Sequence, residues 1–140
     1  MLDKVLVATD GSEPAENAIK YILENAPRKA ELIVVTVTNK SKDREDISRV
    51  FQHGESDKLY SKKVIEKSEI MVSKFRPDIK GTYLIKEGNV ADIITDTADE
   101  EDVDIIIMGS RGLGGVSGFM LGSTSREVVN QCRKPILILK

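Results

Sequence analysis

The residues with the clearest chemical potential in this sequence are glycines. Six of its ten glycines fall between Gly109 and Gly122, in the spacing Gly109-x2-Gly112-x9-Gly122-Ser123. Glycine admits positive φ, so successive backbone amides can turn inward as a nest, and the missing Cβ lets the main chain come close to an anion. Gly122-Ser123-Thr124 then opens a helical pattern, and a helix start presents free N–H groups with partial positive charge. Phosphate is the natural guest. A Walker A loop is excluded, because no lysine occurs between Gly109 and Ser125. The dinucleotide Gly-x-Gly-x-x-Gly pattern fails too: Gly112 and Gly114 begin it, but Ser117 stands where its last glycine belongs. A second unusual turn, Asp10-Gly11-Ser12, follows the first apolar run.

Other reactive side chains carry less. Cys132 and His53 are the only cysteine and histidine, so neither an internal disulfide nor a Cys/His zinc site can be assembled. Cys132 falls in the apolar spacing of the last helical pattern, as a buried thiol would, and His53 lies in a polar stretch. The acidic run Asp99, Glu100, Glu101, Asp102 and Asp104 reads as a solvated helix end.

Alternating strand and helix patterns position these turns. Leu2 to Thr9 is a strand stopped by Asp10-Gly11-Ser12, and Ala15, Ala18, Ile19, Ile22, Leu23 and Ala26 mark a helix face with Ser12 as cap and Pro14 in the first turn. Leu32 to Val37 is apolar on both faces, as a central parallel strand requires. Residues 38–56 are almost wholly polar and read as a long connection, with Ile47, Val50 and Phe51 forming at most one amphipathic turn. Tyr60, Val64, Met71 and Phe75 mark a second helix that stops before Pro77. Gly81 to Lys86 is a strand, Asn89 caps a third helix, and Val103 to Met108 is a buried strand running into the glycine-rich loop. The last helix carries Ser125, Val128, Val129 and Cys132 on one face, with Thr124 and Glu127 spaced as a capping box. Ile136 to Leu139 is the final strand. The pattern is that of a parallel α/β sheet wound by right-handed crossovers, in a single domain over residues 1–140. Ligands of such sheets bind beyond the strands' carboxyl ends, where strand order reverses. The first and fourth strands are neighbours there, so the two turns converge on one crevice.

Composition narrows the class. The chain has 140 residues, 21 Lys plus Arg against 23 Asp plus Glu, and a net charge of −2. Such a chain buries enough surface for a self-sufficient core. The charge balance offers no basic face for nucleic acid, and no apolar run approaches the roughly 20 residues that span a bilayer. A cytoplasmic protein is expected.

The residues resemble a family, the universal stress proteins, and within it the ATP-binding branch. The resemblance is carried by VLVATDGSEPAENAIKYI, by GNVADIITDTADEEDVDIIIMGSRGLGG, and by LGSTSREVV with KPILILK at the end, so it covers nearly the whole chain. It implies a three-layer, doubly wound, Rossmann-like fold with five parallel strands in the order 3-2-1-4-5. It also implies an ATP site lined by Ala8, Thr9, Asp10, Val37, Met108, Gly109, Arg111, Gly112, Gly114, Gly122, Ser123 and Thr124. Amides of Gly109, Arg111, Gly112, Gly122, Ser123 and Thr124 would surround the ribose and phosphates, with the Ser123 hydroxyl added. Asp10 matches an acidic position near the ribose or near Mg²⁺ (or Mn²⁺) held through the phosphates, and Val37 a position whose backbone reads the adenine edge. Ala8 stands where some relatives have proline. A homodimer built by antiparallel pairing of Ile136 to Leu139 is implied as well. The expected function is a nucleotide-dependent switch in stress response that acts on a further protein. A slow Mg²⁺-dependent ATPase or phosphotransferase completed by a partner, and a non-catalytic dimerisation module, are the alternatives. No catalytic residue is assigned, since no base for activating water can be placed from the sequence.

Overall fold

The structure is a computed structural model that describes residues 2–38, 47–110 and 121–140, without the side chains of residues 47–57. Nine elements follow one another among the described residues: β1 (Lys4–Ala8), α1 (Glu13–Asn25), β2 (Glu31–Thr38), α2 (Ile47–Phe75), β3 (Lys80–Glu87), α3 (Val90–Glu100), β4 (Ile105–Gly109), α4 (Ser123–Gln131) and β5 (Ile136–Leu139). The strands form one parallel sheet in the order β3-β2-β1-β4-β5. This is the expected topology, with the reversal of strand order between β1 and β4.

The period of two along each strand divides the core into two layers. Val5, Val7, Leu32, Val34 and Ile107 face α1 and α2, where they meet Ala18, Ile19, Ile22, Ile65 and Val72. Leu6, Ile33, Val35, Ile106 and Met108 face α3 and α4, packing on Ala91, Ile94, Ala98 and Val128. Strands buried on both faces account for the continuous apolar runs of the sequence.

Four local expectations change. α2 begins at Ile47, so 47–56 is helix and not connection. Extending a helix adds one hydrogen bond per residue without a new nucleus, so a polar stretch can continue it without an apolar stripe. The capping box at Thr124 and Glu127 does not form: α4 starts at Ser123 with Gly122 as its N-cap, two residues too early for Thr124 to cap it. Cys132 is the half-buried C-cap of α4 and packs partly against the second core layer. Val129 is exposed, leaving Ser125 and Val128 as the buried residues of that helix.

The acidic run has structural partners. Asp104 accepts from the amides of Asp3 and Lys4, both at 2.9 Å, which ties the start of β4 to the start of β1. Asp102 pairs with Lys134 at 2.6 Å, and that partner holds its carboxyl below the usual range. Asn89 caps α3 as expected, its Oδ1 accepting from Asp92 N at 3.0 Å. At the other end of α1, Arg76 gathers the chain with donor bonds to the carbonyls of Leu23, Ala26 and Pro27. Among the described residues, no helix is long and apolar enough to cross a membrane.

Candidate functional site

The carboxyl ends of β1 and β4 lie side by side. Val7 pairs with Ile107, after which β4 continues to Gly109 while the chain leaves β1 at Ala8. Thr9 still donates its amide to Val35 O at 2.9 Å, and Asp10-Gly11-Ser12 then turns the chain into α1. Local hydrogen bonds set this turn: Asp10 Oδ1 accepts from Ser12 N at 2.9 Å and Thr9 Oγ1 from Gly11 N at 3.1 Å. Gly11 has φ +82°, and a Cβ there would stand 2.5 Å from Tyr60 Oη and 2.8 Å from Val64 Cγ2. Conformation and space both require glycine.

The other wall is built from β4 and α4. Ser110 N donates to Leu139 O and Gly122 N to Ser110 O, each at 2.7 Å, while Ser125 Oγ donates to Gly109 O at 2.9 Å. These bonds pin the start of α4 to the end of β4. Gly122 offers the helix no side-chain cap, and Ser125, one turn inside, has its hydroxyl committed to Gly109. The amides of Ser123 and Thr124 belong to the first turn, so no helix carbonyl accepts from them. They carry the positive end of the helix dipole.

Val37 completes the frame from β2. In a parallel ladder a residue's N–H and C=O point to the same neighbouring strand, and alternate residues point to opposite neighbours. Val35 O accepts from Thr9 N on the β1 side, and Thr38 O accepts from Gly88 N on the β3 side. The backbone of Val37 is therefore turned toward β1, just beyond the point where β1 has ended. Ala8, Val37 and Met108 also share the sheet face that packs toward α3 and α4.

The structure thus brings Ala8, Thr9, Asp10, Val37, Met108, Gly109, Gly122, Ser123 and Thr124 to one end of the sheet. Arg111, Gly112 and Gly114 lie outside the described residues. One assignment acquires a different cause. A Cβ on Gly109 would stand 2.7 Å from Pro14 Cβ and 3.1 Å from Ala15 N, so this glycine is required by the seating of α1 on the strand end.

Two residues that the sequence did not single out for the site belong to its structure. Tyr60, counted there as part of an apolar stripe, donates its hydroxyl to Asp10 O at 2.7 Å. Its phenol is pushed up, first by burial and then by the carboxylates of Asp10 and Glu16, against the opposing Lys67 ammonium. Ser12 is the N-cap of α1 by position, but its buried Oγ has no hydrogen-bond partner among the described residues. A capping hydroxyl normally accepts from the second or third helical amide; the second helical residue here is Pro14, which has no N–H, and the Ser12 hydroxyl does not take the remaining Ala15 amide. The signal for both lay in the neighbours, Gly11 for Tyr60 and Pro14 for Ser12.

With this geometry in view, comparison with known proteins gives the family. A universal stress protein family model matches residues 1–140. The chain belongs to the universal stress protein family. Universal stress protein MJ0577 of Methanocaldococcus jannaschii is 27% identical over all of this chain and 96% of its own length. Its solved structure superposes with a TM-score of 0.84 at 31% identity, covering 100% of this chain and 96% of that one. A universal stress protein of Archaeoglobus fulgidus in complex with dAMP has a TM-score of 0.72 at 22% identity, covering 100% and 98% of the two chains. Another universal stress protein, in complex with cAMP, has a TM-score of 0.69 at 23% identity, covering 99% and 97%. At those identities the last two comparisons bear on the fold, and the fold they share is the parallel sheet described above.

Proposed function

We propose that this universal stress protein binds ATP at the carboxyl ends of β1, β2 and β4, with Mg²⁺ or Mn²⁺ held through the phosphates, and that occupancy switches its interaction with a downstream protein. The observation that carries this reading is the uncapped start of α4, fixed against the end of β4 beside the Asp10 turn. Main-chain amides without side-chain caps suit phosphate oxygens, whose charge the helix dipole favours. The amides of Gly109, Arg111, Gly112, Ser123 and Thr124 and the Ser123 hydroxyl are the groups proposed to hold the ribose and phosphates, with Gly114 and Gly122 lining the site; the Gly122 amide expected among them already donates to Ser110 O. Asp10 is the carboxylate proposed to contact the ribose or the metal.

The base is proposed to lie among Ala8, Thr9, Met108 and Val37, whose backbone N–H and C=O read its edge. Adenine matches that donor and acceptor pair and guanine reverses it. Two family members are solved in complex with adenine nucleotides, cAMP and dAMP, which supports a nucleotide at this site. A bound divalent ion supplies neutralisation of phosphate charge. The chain's part is binding and orientation: Asp10 Oδ1 already accepts the Ser12 amide, a holding role more than that of a base.

A homodimer through β5 belongs to the same proposal. β5 pairs on one side with β4 and presents Ile136-Leu137-Ile138-Leu139 at the sheet edge, whereas the opposite edge, β3, carries Lys80, Lys86 and Glu87. Charges guard a sheet edge against pairing, and β5 has none.

Titration calorimetry with ATP and Mg²⁺, followed by single-turnover analysis of labelled ATP, tests the function. Saturable binding with no turnover, and much weaker binding of GTP, is expected. Turnover would favour the slow ATPase. No heat from any adenylate on folded protein would remove the reading.

A further inference from the structure

Tyr60 acts on the crevice from outside it. It stands on α2, on the sheet face opposite that of Ala8, Val37 and Met108, yet its hydroxyl reaches across 50 residues of sequence to the Asp10 carbonyl. Beneath the turn, a cleft of about 200 Å³ is lined by Gly11, Glu16, Tyr60, Lys63, Val64 and Lys67 among others. Every polar group that fixes the turn from within belongs to Thr9, Asp10 or Ser12. The Tyr60 bond ties it to α2.

We propose that Tyr60 is a positioning residue of the nucleotide site: through the Asp10 carbonyl it holds the Asp10-Gly11-Ser12 turn in its ligand-binding shape and links the occupancy of that turn to α2. The inference rests on the nucleotide reading above. Three observations converge on it. The hydroxyl bond at 2.7 Å fixes the carbonyl of the residue that brings a carboxylate to the crevice. The Tyr60 hydroxyl stands where a Gly11 Cβ would be, so the tyrosine reaches the turn only because residue 11 is glycine. Finally, the charged groups around the phenol come from three elements, Asp10 from the turn, Glu16 from α1 and Lys67 from α2, with Glu16 and Lys67 paired to each other. A charge arriving at Asp10 is therefore felt at Tyr60.

The sequence makes this measurable. It contains no tryptophan and three tyrosines, Tyr21, Tyr60 and Tyr83, so in the Tyr21→Phe/Tyr83→Phe protein Tyr60 is the only emitter. Titrating that protein with ATP and Mg²⁺, with excitation beyond the adenine band, should change the tyrosine emission along the calorimetric binding curve. Tyr60→Phe in the otherwise natural chain should bind ATP about three- to tenfold more weakly, the range expected for one neutral hydrogen bond, and should melt a few degrees lower because the same bond is missing from the ligand-free fold. Emission that stays constant through calorimetric saturation, or natural affinity in Tyr60→Phe, would overturn the role of Tyr60 while leaving the nucleotide reading intact. If Tyr60→Phe does not fold, the emission titration decides alone. Absence of binding heat in the natural protein would sink the nucleotide reading and this inference with it.

Discussion

Gly109 and Pro14 touch so closely that a Cβ on Gly109 would lie 2.7 Å from Pro14 Cβ and 2.9 Å from the Pro14 carbonyl carbon. The end of β4 and the first turn of α1 are thus seated on each other, and with them the two walls of the crevice. Gly109 is not among the glycines with positive φ, so space and not conformation excludes a side chain.

Gly109→Ala should therefore destabilise the protein by about 1–3 kcal/mol, the usual cost of overpacking. That lowers the melting temperature by several degrees. Differential scanning calorimetry without nucleotide checks it, and an unchanged transition would contradict the contact. A loss of affinity in this variant reports a shifted wall as well as a blocked amide, so Gly122 is the better position at which to probe phosphate approach.

Ser12→Ala has an unusual expected sign. Replacing a serine N-cap by alanine ordinarily costs about 1 kcal/mol, but here the hydroxyl caps nothing, and a buried hydroxyl without a partner itself costs about 1–3 kcal/mol. The variant should melt at the same temperature as the natural protein or a few degrees higher. A fall of several degrees in a thermal scan would mean that the hydroxyl is bonded in solution.

What was legible in the sequence follows from the kind of physics involved. Periodicity gave the strands and helices because burial on one or both faces leaves a repeat in the residues, as in Leu32–Val37 and along α1. The polar start of α2 left no such repeat. The crevice was legible at Asp10-Gly11-Ser12 and Gly122-Ser123 because turns and helix starts depend on local residue chemistry. Tyr60 on Asp10 and Gly109 against Pro14 join residues far apart in the chain, and a single sequence carries no trace of such a meeting beyond the glycine that permits it. Arg76 on the carbonyls of Leu23 and Ala26 is a meeting of the same kind, and nothing in the sequence singled it out.

Acid should weaken that closure. Arg76 donates to Asp78 Oδ1 at 2.9 Å and Oδ2 at 3.0 Å, and Lys29 N donates to Oδ2 at 3.2 Å. The guanidinium hydrogen bonds first, and the Lys29 amide next, hold the Asp78 carboxyl well below the usual carboxylate range. A carboxyl with a lowered folded-state pKa stabilises the fold fully above its unfolded pKa of about 4, and the contribution is lost as pH falls toward the folded value. Melting temperature should fall between pH 5 and pH 2 less steeply for Asp78→Asn than for the natural protein. Parallel curves in that window would remove Asp78 from the acid response.

Edge pairing is tested at Ile138. Ile138→Lys puts a charge on the unguarded strand and should shift the protein toward monomer in sedimentation velocity. An unchanged profile would refute pairing through β5.

The most direct test of the account follows the backbone amides at the start of α4 by nuclear magnetic resonance while nucleotide is added. ATP and AMP should move the amide resonances of Gly122, Ser123 and Thr124 strongly, and adenosine, which lacks phosphate, should move them far less. If those amides stay still at saturating ATP while the protein binds it, the phosphates are held somewhere other than the start of α4.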